Sequence, residues 1–276
     1  MFDPNNLFNS LLIIPILNIL TGLYNLLLLL KIPGALGFSL ILLTVLIRLI
    51  LHPLTVKQLE SAHKMSKLKP EMDKLHKQFG SDKQKLQQEQ LRLYQQAGIN
   101  PAAGCLPLLL QMPILIALYN LFFQLLDNSD LNTVVKGINS VVYFPFLRIE
   151  SLDLSFLGVS LAHKPNEWQK VGWWLLLIPV VTGLLQYWQT KTMSPKDSSL
   201  VASSTSAPPK IVSTGQAPQE KKEEDISTTM QKQMTIMMPL MIGFFAYSFP
   251  VGLSLYWNTF TVFGIIEQRQ LNKKIK

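Results

Sequence analysis

Four stretches of the chain run apolar and almost free of charge: residues 33–56, 102–126, 171–190 and 233 to about 266. A helix needs about 20 such residues to cross a bilayer, and the last stretch is too long for one crossing. Pro250-Val251-Gly252 divides it into halves, residues 233–249 and 251–267. The pattern predicts an all-α membrane protein with five transmembrane helices, the last two joined by a tight hairpin.

Residues 7–30 are also apolar and long enough to span. Yet Asn18, Thr21, Gly22 and Asn25 follow i, i+3, i+4, i+7 spacing, one polar stripe on a helix, and Pro15 interrupts the run. An amphipathic helix lying at the outer interface is the favoured reading. A sixth span or an uncleaved signal anchor is the alternative. No basic region precedes Leu7, as a cleaved signal peptide would require.

The segments between the runs are polar. In residues 57–98, Met65, Leu68, Met72, Leu75 and Phe79 step by three and four, a seam for helix packing. Gly80 and Ser81 break it, and a second helical stretch carries Leu86, Leu91, Leu93 and Tyr94 up to a C-cap at Gly98. Asn100-Pro101 then redirects the chain. This predicts a cytoplasmic helical hairpin, either a solvated connector or a docking arm. Residues 127–170 form an external loop. Residues 193–228, rich in Ser, Thr, Pro and Lys/Glu with no apolar period, predict a disordered cytoplasmic linker. Residues 268–276 form a basic cytoplasmic tail.

Composition agrees with a membrane protein: 48% of residues are hydrophobic and 15% charged, against about 25% charged in soluble domains. The net charge of +8 invites a nucleic-acid reading until the 25 basic residues are placed. Nineteen fall in residues 57–100, 191–232 and the tail, on one side of a five-span chain. Five fall on the other side, and Arg48 lies inside a span. The asymmetry puts the N-terminus outside and the C-terminus in the cytoplasm, so no nucleic-acid partner is needed to explain the charge. Trp173/Trp174 and Tyr187/Trp188 bracket the third span as interface belts.

Catalytic chemistry is not in view. Cys105 is the single cysteine, so no internal disulfide or Cys-based zinc cage forms. The four histidines lack metal-ligand spacing. There is no GxxxxGK[ST] phosphate loop and no Ser/His/Asp constellation. No enzyme activity, cofactor or metal is expected.

The candidate site begins with Arg48, about 15 residues into the first span. An arginine there costs about 2.5–3.5 kcal/mol on insertion scales. No Asp or Glu lies between the ends of the five spans, and Asp127 and Glu267 sit at span termini. A buried salt bridge within the bundle is therefore not expected. Arg48 either snorkels to cytoplasmic headgroups or lines a water-filled cavity and waits for an anionic partner. Thr44 and His52 share its face, one turn before and one turn after. Gln111 and Gln186 reach a similar depth on the second and third spans, where each either lines a hydrophilic groove or hydrogen-bonds between helices. Trp257 walls the upper groove or anchors at the interface. Met230, Met234, Met237, Met238 and Met241 cluster on the fourth span, as bundle packing or as an adaptable surface. Pro107, Pro113, Pro179 and Pro239 are expected to kink or soften their helices.

Three motifs occur in order: Ile41-Leu-Leu-Thr-Val-Leu-Ile-Arg48-Leu-Ile-Leu-His-Pro53-Leu; Asn100-Pro101-Ala-Ala-Gly-Cys105-Leu-Pro107 leading into Gln111-Met-Pro113-Ile; and Phe249-Pro250-Val-Gly252-Leu-Ser-Leu-Tyr256-Trp257. Together they resemble the YidC family of membrane protein insertases, relatives of the mitochondrial Oxa and chloroplast Alb insertases, in a compact bacterial form without a large external domain. The resemblance implies a bacterial plasma (inner) membrane protein. It also implies a positively charged groove, open to cytoplasm and lipid and closed to the outside. Arg48 matches the groove arginine, and Thr44 and Trp257 match positions facing the groove; depth adds Gln111 and Gln186. Implied partners are nascent membrane proteins, membrane lipids, a ribosome at the hairpin or basic tail, and the Sec translocon. Rival readings are an assembly chaperone that only packs helices inserted by a translocon, and a small-solute transporter. No inverted repeat supports the latter.

Overall fold

The computed structural model describes residues 3–80, 82–98, 106–127, 131–193 and 226–274. Ser81, Asn100-Pro101, Cys105 and nearly all of the expected linker 193–228 lie outside the described residues. In chain order the helices are α1 (Ile14–Leu29, preceded by a π-helical turn Asn9–Ile13), α2 (Ala35–Lys67), α3 (Lys69–Phe79), α4 (Lys83–Gln96) and α5 (Leu106–Asp127). They continue with α6 (Leu131–Asn139), α7 (Trp168–Val171), α8 (Leu177–Met193), α9 (Ile226–Ser248) and α10 (Val251–Lys274). Two-residue strands β1 (Ser155–Phe156) and β2 (Val159–Ser160) pair antiparallel. Among the described residues this ladder is the one departure from an all-α chain.

Local chemistry explains several boundaries. Pro15 sits just past the π-helical turn Asn9–Ile13 and the helix runs on through it, so it does not interrupt the run. α2 continues as one helix past the expected span and ends at Lys67, where Leu68 caps α3 and Pro70 occupies its first turn. The expected seam from Met65 to Phe79 is therefore divided, because proline cannot supply the N–H a continuous helix needs. α3 packs against α4, which Asp82 caps by accepting from the Lys85 N–H at 3.1 Å. Pro107 and Pro179 sit in or near the first turns of α5 and α8, whereas Pro113 and Pro239 are interior. α8 starts late in its apolar run, since Gly172 (φ 142°) and a 3₁₀ turn over Trp173–Leu176 precede it. Leu157 and Gly158, both with positive φ (50° and 83°), form the two-residue turn of the β ladder.

Among the described residues, Asn9–Leu29 and Ala35–Met65 are long and apolar enough to cross a membrane by length and composition; Gln111–Phe123 and Thr235–Ser248 are shorter apolar helical stretches. The polar stripe of α1 has an internal partner. Asn18 donates to the Val141 carbonyl at 3.2 Å and accepts from the Tyr143 N–H at 2.7 Å. Asn25 donates to the carbonyls of Phe146 and Arg148, both at 3.1 Å. The stripe thus holds residues 141–149, and Leu7, Leu11, Leu26, Leu28, Leu29 and Leu30 are left exposed.

The helix directions alternate. α10 meets α2 with numbers rising together: Arg48 reaches Phe260 and Glu267, and Leu59 and Leu271 line one recess. α10 is likewise parallel to α8, with Gln186 against Trp257 and Gln189 against Gly264. α5 runs opposite to α10, since Gln111 meets Tyr256 and Phe122 meets Gly252. α9 runs opposite to α8: Gly243 lies against Pro179 and Gly183, and Gly183 against Pro239. Missing side chains at Gly183 and Gly243 let those two backbones approach closely.

One apolar cluster gathers at one end of this arrangement. It joins Leu17, Leu20 and Tyr24 of α1, Leu36, Leu40 and Leu43 of α2, Leu118 and Phe122 of α5, Val134 and Ile138 of α6, and Leu253 and Tyr256 of α10. Residues 139–172 close over that end. The N–H groups of Val251 and Gly252, orphaned at the start of α10, donate to the carbonyls of His163 and Leu161, each at 2.8 Å. The Phe156 ring covers Gly37 and meets Phe38 edge-on. Past this core, toward the other end of α2 and α10, the buried positions turn polar.

Candidate groove site

α10 is the hub of the polar region. Its first polar layer consists of Tyr256, fully buried, whose hydroxyl accepts from Gln111 Nε2 at 2.9 Å, and Trp257, whose indole N–H donates to Gln186 Oε1 at 3.2 Å. Gln111 and Gln186 are both buried and each is satisfied by its α10 neighbour. Thr44 is fully buried, and its hydroxyl donates to the Leu40 carbonyl one turn back at 2.6 Å. Ser254 Oγ, Asn258 Oδ1 and Thr261 Oγ1, at i, i+4, i+7 along α10, are buried without a hydrogen-bond partner among the described residues.

The next layer holds the arginine. Arg48 is 5% exposed. Its Nη1 lies 3.0 Å from Glu267 Oε2, and its Nη2 donates to the Phe260 carbonyl at 2.6 Å. The guanidinium carbon sits 3.5 Å from the centroid of the Phe260 ring, a cation–π contact. Arg48 Nε has no hydrogen-bond partner among the described residues. Glu267 is as buried as Arg48, and its other oxygen lies 2.7 Å from His52 Nδ1. Gly264, between Phe260 and Glu267, leaves room for Arg48: a Cβ there would be 2.7 Å from Nη2.

The expectation of an arginine without a carboxylate in its own chain is therefore overturned. Assigning span ends by hydropathy put Glu267 at a terminus and out of reach. α2 and α10 run on together beyond the apolar windows, and two long side chains close the offset. A recess of about 280 Å³ beyond this pair is lined by His52, Thr55, Val56, Leu59, Glu60, Glu267, Gln270 and Leu271. Arg48 is not among its lining residues; the carboxylate and imidazole stand between them.

Sequence reasoning named Arg48, Thr44, Gln111, Gln186 and Trp257 and placed His52 on the Arg48 face. It missed Glu267, Phe260, Gly264 and Tyr256. A signal for three of them was present: Phe260, Gly264, Glu267 and Leu271 follow 4, 3, 4 spacing, one face of α10. Of the methionines, Met237 and Met241 are exposed on α9, while Met230 and Met234 lie outside the residues whose side chains are described.

Residues 28–276 match the family described as 60Kd inner membrane protein. The YidC insertase of Oceanobacillus iheyensis is 31% identical over 241 residues, covering 86% of this chain and 74% of the relative. The chain belongs to the YidC family of membrane protein insertases. A YidC insertase of Fusobacterium nucleatum is 30% identical over 244 residues, 88% of this chain and 89% of that protein. The chloroplastic inner membrane ALBINO3-like protein 1 of Chlamydomonas reinhardtii is 33% identical over 250 residues, or 88% of this chain. The chain spans only 45% of that relative's length. In YidC terms, the polar layers lie where α2, α5, α8 and α10 meet.

Proposed function

We propose that this chain is a membrane protein insertase of the bacterial plasma (inner) membrane, and that Arg48, buried among helices on a face shared with Thr44, is the element that receives a substrate's charge. Five spans carry it: α2, α5, α8, α9 and α10, with the N-terminus outside and the C-terminus in the cytoplasm. The alternating helix directions and the distribution of basic residues support that topology. The apolar core closes the outer end, the polar layers of Thr44, Gln111, Gln186 and Trp257 lie inside it, and the recess beside His52 and Glu267 forms the cytoplasmic mouth of the groove. Partners are nascent membrane proteins and lipids, with the ribosome meeting residues 57–98 or the basic tail, and the Sec translocon as a collaborator.

The acidic N-terminal tail of an incoming protein enters by that mouth and competes with Glu267 for Arg48, in a low dielectric where charge attraction is stronger than in water. Partition of the substrate's apolar helix into lipid supplies the larger drive. The membrane potential adds about 2.3 kcal/mol per charge per 100 mV for an acidic tail moving outward. No chemical step is required, and the chain acts without enzymatic turnover.

The observation that carries this reading is the buried Arg48 in a chain of the insertase family. Its test is reconstitution into liposomes with a single-span substrate bearing an acidic tail. The purified protein is expected to promote insertion without carrying ions or solutes, and Arg48→Ala to lose most of that activity. Insertion that required an added translocon would instead identify an assembly chaperone.

A further inference from the structure

Around the Arg48 guanidinium, Nη1 meets Glu267, Nη2 donates to the Phe260 carbonyl, and the Phe260 ring lies against a π face. Nε has no hydrogen-bond partner among the described residues. An incoming carboxylate that is to bind the guanidinium side-on needs Nε together with an Nη. Its arrival brings a second carboxylate against a guanidinium whose charge Glu267 already offsets. That resident group has a second partner at hand. Glu267 also contacts His52, whose side chain is 47% exposed and borders the recess of about 280 Å³.

Resting on the insertase reading, we infer that Glu267 is a resident stand-in for the substrate's acidic tail: it holds Arg48 until a substrate carboxylate displaces it toward His52, and so sets how strongly the protein selects acidic tails over neutral ones. Glu267 acts through Arg48 and is a positioning residue. The displacement conserves charge at each step: one carboxylate leaves Arg48 as another arrives, so the buried guanidinium is not left bare, which would be costly. His52 gives the departing carboxylate a hydrogen-bond donor at the lip of the recess.

The test compares two single-span substrates, identical except for an acidic or a neutral tail, inserted by the same liposome preparation. The quantity read is the ratio of their insertion rates. Glu267→Gln keeps shape and removes the competing charge, so the ratio is expected to rise, on the order of tenfold for a charge-assisted pair. Glu267→Asp should bring it back toward wild type. His52→Ala removes the alternative partner, holds Glu267 on Arg48, and should lower the ratio. Equal change of both substrates in Glu267→Gln overturns the inference, and so does an unchanged or raised ratio in His52→Ala, which decides the matter if Glu267→Gln inserts nothing. Failure of the wild-type protein to insert either substrate would count against the insertase reading itself, a separate result.

Discussion

Gly264 holds open the space that the Arg48 guanidinium fills: a methyl group there would lie 2.7 Å from Arg48 Nη2 and 2.5 Å from Gln189 Nε2. Both are ends of flexible side chains, so the neighbours move and the backbone does not. Alanine in a helix gains about 0.5–1 kcal/mol over glycine, and modest overpacking costs about 1–3 kcal/mol. Gly264→Ala is therefore expected to change thermal stability in detergent only slightly. It should still displace the guanidinium from Glu267 and slow insertion of acidic-tailed substrates. Unchanged insertion rates would show that the position of Arg48 does not matter.

Arg48 and Glu267 are both nearly excluded from solvent, with side-chain exposures of 6% and 4%. Removing one partner of such a pair leaves a buried uncompensated charge, at about 3–5 kcal/mol. Arg48→Ala should lower the melting temperature of the purified protein as well as its activity. The double variant Arg48→Ala/Glu267→Ala should be less destabilised than the two single losses added together, with a coupling of about 1–3 kcal/mol. Additive losses in a double-mutant cycle would mean the pair contributes nothing as a pair.

The helices were legible in the sequence because apolar runs leave a chain few other structures in lipid, where each backbone polar group must find its partner internally. The site was half legible. Arg48 stands out as a charge in an apolar window, and Gln111 and Gln186 as costly polar groups. Their partners do not stand out: Tyr256 and Phe260 read as ordinary aromatic residues, and Glu267 as a terminal charge. Hydropathy windows record where a helix is apolar, not where it ends, and α2 and α10 both continue well beyond theirs. The stripe of Asn18 and Asn25 was visible as a stripe, but nothing local says that it faces residues 141–149, more than a hundred positions away.

That stripe makes its own prediction. The Asn18 carboxamide is buried and makes three hydrogen bonds, to the Ile14 and Val141 carbonyls and from the Tyr143 N–H. Asn18→Ala leaves the buried Val141 carbonyl and the part-buried Tyr143 N–H without their partner, for about 1–3 kcal/mol. Asn25→Ala, at a more open position, should cost less. Limited proteolysis is expected to cut residues 139–150 faster in Asn18→Ala than in wild type, with Asn25→Ala between them. Equal cutting in all three would dissociate the stripe from the loop.

The sharpest packing test lies where α5 crosses the start of α10. A Cβ on Gly252 would clash with the edge of the Phe122 ring at Cζ and Cε1, and that ring is itself fully buried. A ring in a closed core cannot bend away as a lysine or glutamine tip can, so Gly252→Ala must push α10 off α5 or break the Gly252 N–H bond to the Leu161 carbonyl. A loss of about 1–3 kcal/mol follows from overpacking. Phe122→Leu alone should cost about 1–2 kcal/mol, within the usual range for a core change. Because leucine vacates the volume the new methyl needs, Gly252→Ala/Phe122→Leu should melt above the Gly252→Ala single variant. A double variant melting below both single variants would show that the crossing is held by something other than this contact.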